Sequence, residues 1–180
     1  MKKISIFLII LSALLLCSCA DLSPLRSTET APKVVASGKN YKVELEGKRY
    51  KLTYLNNEGS GTSAQYFDTQ PDVSETEQGY LKVDFDTAVI IYDPATGKIS
   101  DDLVELIAFD DRYAVTLSYN SVTVEELWIT ADRYKESFTL SKVPDTAAGI
   151  RVTFAPDHKS VTVSYVAQNE TETTEDVIEL

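Results

Sequence analysis

Carboxylates are the reactive groups that this chain holds in abundance, with 28 Asp and Glu against one His and two Cys in 180 residues. Asp84 and Asp86 stand two apart in an alternating stretch. On a strand that spacing puts both on one face, with Tyr80, Ile90 and Tyr92. Two carboxyl groups held at a fixed separation can hydrolyse a glycosidic bond, one as acid and the other as base or nucleophile. Asp101-Asp102, Asp110-Asp111 and Glu125-Glu126 are further pairs. They fall at expected element ends, where turns and caps select acidic side chains for their own hydrogen bonds. Acidic loops also bind calcium, but the EF-hand spacing is missing. His158 falls in an expected hairpin turn, and an imidazole there is ordinarily just exposed. With one His, and with both Cys at positions 17 and 19, the preferred ligands of zinc are lacking. A Ser-His-Asp triad would have to use that one turn residue. No P-loop or dinucleotide glycine fingerprint occurs. No metal and no cofactor is implied.

Aromatic rings are the second candidate group. Tyr66, Phe67 and Tyr80 flank long polar loops, where rings can stack on sugars or anchor a protein partner. These three are the candidate ligand contacts, and Asp84 with Asp86 is the candidate acidic site.

The first residues say where the chain works. Lys2 and Lys3 precede an apolar run over residues 4–16. A bilayer span needs about 20 residues, so the run reads as a secretory signal instead. Leu16-Cys17-Ser18-Cys19 then resembles the lipobox of bacterial lipoproteins. The resemblance implies cleavage before Cys19, a diacylglyceryl group on its sulfur and a further acyl chain on the new amino terminus. Reading Cys17 as the modified residue would put bulky Leu16 at the cut. Two or more chains anchor stably, where one does not. The domain is thus expected outside the cytoplasm, lipid-anchored to the cell membrane or an outer membrane. Loss of Lys2 and Lys3 takes the net charge from −11 to −13. That argues against nucleic acid, which is bound by neutralising phosphates, and against a basic patch on anionic lipid.

Behind the signal, 1–18, residues 19–38 are rich in Ser, Thr, Pro and Ala and read as a flexible tether. Residues 39–168 carry the alternation of a β domain, and the acidic segment 169–180 reads as a solvated tail. Tyr41, Val43 and Leu45 alternate with charges up to Gly47-Lys48, and Tyr50, Leu52 and Tyr54 return, a hairpin pattern. Ile150, Val152 and Phe154 make another with Val161, Val163 and Tyr165 across Pro156-Asp157-His158-Lys159. Leu81, Val83, Phe85, Thr87, Val89 and Ile91 share one phase, so residues 80–92 read as one long strand, bent near Asp86-Thr87. Residues 103–109 are apolar on both faces, as in a central strand or a short helix. Thr123 and Glu126 fit a capping box, so a helix near 124–136 competes with a strand over 122–130. The expected fold is mainly β, an antiparallel sandwich or barrel-like meander with room for that one short helix.

These features point to a membrane-anchored, extracytoplasmic lipoprotein acting as a non-catalytic binding or envelope-assembly module, with an envelope protein or a glycan as partner. The alternatives are a carboxylate-dependent glycan hydrolase and a lipid carrier with a barrel cavity.

Overall fold

Among the described residues, alternating sequence becomes alternating burial along fifteen strands, and every strand pairing is antiparallel and joins strands consecutive in the chain. The computed structural model describes residues 31–180. The signal and Cys19 lie outside the described residues.

Each sheet is a run of consecutive strands. The first holds β1 (Lys33–Ser37), β2 (Tyr41–Glu46), β3 (Arg49–Leu55) and β4 (Gly61–Phe67). The second holds β5 (Asp72–Glu75), β6 (Leu81–Phe85), β7 (Ala88–Tyr92) and β8 (Leu103–Val104). The third is β9 (Leu106–Phe109), β10 (Tyr113–Ser118), β11 (Ser121–Glu126) and β12 (Lys135–Thr139). The fourth is β13 (Arg151–Phe154), β14 (Ser160–Val166) and β15 (Thr173–Glu179).

Side-chain period decides how these sheets stack. On β7, Ile90 and Tyr92 join Val43, Leu52, Tyr54 and Phe67 of the first sheet in one core, with Leu81 and Val83 beside them. Val89 and Ile91 point the other way and meet Ala114 and Leu127 of the third sheet's region. On β10, Tyr113 and Val115 turn from Ala114 toward Val161, Val163, Tyr165 and Ile178 of the fourth sheet. The two middle sheets are therefore covered on both faces, and β7 is buried at all five positions. A strand covered on both faces reads as a continuous apolar run, as Ala88-Val89-Ile90-Ile91 does. All three cores lie within the unit Pro32–Leu180.

The structure bears out the mainly β antiparallel fold and both hairpins, and corrects four boundaries. The capping-box segment is strand β11, not a helix. Val122 and Val124 are fully buried against the fourth sheet, and Thr123 Oγ1 bonds Ser137 Oγ across the ladder at 2.8 Å instead of capping. Packing plus β-branched side chains outweigh a local cap. Residues 80–92 form a hairpin, not one strand. Asp86-Thr87 is its two-residue turn, and Asp86 takes the positive φ of 49° that Asp tolerates better than most residues. The turn brings Ile90 and Tyr92 over to the face of Leu81 and Val83. The folded region starts before residue 39, because β1 pairs with β2. Residues 169–180 are not a solvated tail, since β15 pairs with β14 at all seven of its positions. Glu175 and Glu179 occupy the outward side while Asp176 and buried Ile178 face inward.

The last strand also carries a titrating latch. Asp176 Oδ2 accepts from Tyr165 Oη at 2.7 Å and from the Ser141 N–H at 2.9 Å. Burial alone would raise the Asp176 pKa, but these hydrogen bonds outweigh it and hold the carboxyl below its ordinary value. A depressed carboxyl stabilises the fold above its unfolded pKa, about 4, and the contribution is lost as pH falls through the lower folded value. Urea midpoints of the wild type should therefore fall more steeply below pH 4 than those of Asp176→Asn. Parallel curves would show that the latch adds nothing.

Candidate functional site

Residues of the first and second sheets, with Asp102, line a cleft of about 310 Å³ beside their shared core. Its floor is apolar. Phe67 ends β4 and Phe85 ends β6, with ring centroids 5.0 Å apart, and fully buried Ile90 lies beside them. Register puts these residues there, since Phe67 pairs with Tyr50 and Phe85 with Ala88, each at the end of its ladder.

The rim is polar. Tyr66 pairs with Lys51 on the solvent face of the first sheet and is 46% exposed. Arg49 and Lys51 lie 5.5 and 5.8 Å from its ring centroid, a cation–π arrangement. The Tyr66 hydroxyl donates to Glu46 Oε2 at 3.2 Å. Arg49 Nε donates to Asp68 Oδ1 at 3.1 Å and Nη2 to the Tyr66 carbonyl at 3.4 Å. The guanidinium is thereby part of the cleft's exposed rim. Deeper in, Gln65 Oε1 accepts from the Tyr54 hydroxyl at 2.5 Å. Burial, with Asp102 and Tyr92 adding to it, pushes the Tyr54 phenol far above its ordinary range. The amide of Gln65 is thus fixed by a buried donor. Asp86 and Asp102 are exposed and complete the lining. The arrangement offers acceptors, a guanidinium and ring edges to a hydroxyl-rich or amide-rich ligand.

Three of the five expected contact residues, Tyr66, Phe67 and Asp86, meet in this cleft. The other two do not. Tyr80 stacks edge-on against Trp128, with centroids 5.4 Å apart, where the second sheet packs on the third. Asp84 is bound by Lys82 Nζ at 2.7 and 2.9 Å. Asp84 sits on β6 while Asp86 sits in the turn, so the expected shared strand face is not formed. Arg49, Gln65 and Asp102 were missed. Alternation places Arg49 and Lys51 on one face, but only strand pairing reveals that Tyr66 lies beside them.

Two more polar groupings emerge from the folded chain. Glu125, with its side chain 4% exposed, accepts from Lys135 Nζ at 3.2 Å and forms an ion pair with Arg133 Nη2, also at 3.2 Å. Arg133 also reaches Asp101 at 2.6 Å. This buried ion cluster fastens residues 127–134 to β11. Elsewhere, His158 of the β13–β14 turn meets Asp110 and Asp111 of the β9–β10 turn. Its imidazole is half-buried, not simply exposed as turn position suggests.

The chain is thus a mainly β protein of consecutive antiparallel meanders with a polar-rimmed cleft. Compared with known proteins, it matches no family model, no curated protein and no solved structure.

Proposed function

We propose that this protein is a lipid-anchored, extracytoplasmic binding module whose ligand enters the Tyr66–Phe67–Asp86 cleft, with an envelope glycan as the ligand that best fits the polar rim. The observation that supports this reading most is the cleft's make-up: an aromatic floor, a stationed guanidinium, a fixed amide and open carboxylates. Planar polar groups around an aromatic surface bind through many modest contacts and need no reacting group. The anchor rests on the lipobox resemblance at Cys19.

The hydrolase reading needs a carboxyl kept protonated by burial or by a close like charge. Asp86 is exposed and Asp84 is paired with Lys82. The lipid-carrier reading needs a dry apolar pocket. Charged side chains line this cleft and also two others, Glu105 and Asp145 in one and Lys82 in the second.

Sedimentation of residues 32–180 with insoluble cell-wall glycan tests the proposal. The wild type should co-sediment, and Tyr66→Ala with Arg49→Ala should weaken binding at least about tenfold, or roughly 1.4 kcal/mol. Both side chains are exposed enough to remove without emptying a core. Release of reducing ends by the wild type, lost in Asp84→Asn with Asp86→Asn, would replace the binding module by the hydrolase.

A further inference from the structure

We propose that Asp110, Asp111 and His158 form a binding site for a borderline divalent transition cation, with Zn²⁺ as its probe, that ties the third sheet to the fourth. One donor atom from each residue lies within 4.8 Å of the others. His158 Nδ1 is 3.1 Å from Asp110 Oδ2, and Nε2 is 3.7 Å from Asp111 Oδ1. The imidazole sets this group apart from the chain's carboxylate-only pairs, because nitrogen with carboxylate oxygen is a donor set that zinc prefers and calcium does not.

Zinc bonds of about 2.0–2.2 Å put neighbouring ligand atoms of a tetrahedron roughly 3.3–3.5 Å apart. The Asp110–His158 edge is already near that length. The imidazole gives one nitrogen to an ion, here Nδ1 beside Asp110. The Asp111 carboxylate lies nearer Nε2 and is 67% exposed, so it is free to swing round to that side without disturbing a core.

Backbone contacts hold the Asp110 donor and the turn that carries Asp111, as metal sites require of their supporting groups. Asp110 Oδ1 accepts the N–H groups of Arg112 and Tyr113 at 2.8 and 2.6 Å. That leaves Oδ2 for the imidazole or a cation. The Asp111 carbonyl accepts the Trp128 Nε1–H at 2.9 Å, which pins the turn. The one nearby cationic side chain on that turn, Arg112, is engaged with the Tyr113 ring and Glu126. Two adjacent carboxylates repel each other, and a divalent ion between them removes that penalty.

The test uses residues 32–180 stripped with chelator and titrated with ZnCl₂, MgCl₂ or CaCl₂, followed by calorimetry and by the emission of Trp128, the single tryptophan. The expected result is one zinc per chain, a change in Trp128 emission and a higher melting temperature, with no response to magnesium or calcium. His158→Asn keeps a residue type that accepts the positive φ of 54° and should weaken zinc at least tenfold, as should Asp110→Asn. Asp84→Asn should bind as the wild type does. Zinc binding that survives His158→Asn, an equal response to calcium, or no 1:1 binding below millimolar zinc would each overturn the proposal.

Discussion

Truncation after residue 171 is expected to abolish the cooperative melt or to lower its midpoint by more than about 10 °C. β15 supplies seven paired residues and closes the far side of β14. It buries Ile178, and Leu180 packs on the same core while its N–H reaches the Lys159 carbonyl at 2.8 Å. Loss of a buried Ile alone costs roughly 2–5 kcal/mol. Domains of this size hold only about 5–15 kcal/mol in total. Removing the strand also strips Asp176 from Tyr165 and uncovers one ladder of β14. Differential scanning calorimetry of the truncated protein decides the matter. A midpoint within about 2 °C of the full chain would restore the acidic-tail reading.

Glu125→Ala should cost about 3–5 kcal/mol in urea unfolding, the largest effect expected of any single polar substitution here. The carboxylate is not valuable because an ion pair is inherently strong. Its removal leaves the Arg133 guanidinium, 15% exposed, with the half-exposed Asp101 as its one remaining counter-charge among the described residues. Arg133 Nη1 already has no hydrogen-bond partner among the described residues, so the buried guanidinium would depend on the single bond from Nη2 to Asp101. The double variant Glu125→Ala with Arg133→Met should regain most of the loss, because two apolar replacements leave no buried charge. A Glu125→Ala cost under about 1 kcal/mol would mean that water reaches the cluster.

Sequence alternation was enough to find the hairpins because their turns are marked by residue type. Gly47 adopts a φ of 64° between β2 and β3, and Gly is the expected residue there. It failed at the β6–β7 hairpin because Asp86-Thr87 is a poor turn marker and Thr87 keeps the apolar phase. The same ambiguity hid the separate faces of Asp84 and Asp86. At 121–126, a Thr and a Glu three apart satisfy a capping box whether or not a helix follows, and only the burial of Val122 and Val124 decides. The tail was misread from its charges. On a strand with one solvated face, Glu175 and Glu179 can coexist with a buried Ile178 between them. The candidate cleft was half legible, through its aromatic residues. Its cation and amide come from positions 49 and 65, and the Asp110–Asp111–His158 group joins turns 48 residues apart, so both needed the folded chain.

The order of the sheets bears on how the protein reaches this state. Each sheet is completed by strands that follow one another directly, so most pairings close short loops. All-β folds are slow when their pairings are remote in sequence, because loop-closure entropy is spent before contacts form. Here the first sandwich, residues 33–104, can close before β9 exists. The outer face of β7 then offers Val89 and Ile91 as the surface on which the third sheet assembles, and the fourth sheet seals what the third leaves open. A chain that emerges amino end first would thus fold behind itself, layer by layer, with its newest layer always the one exposing apolar surface.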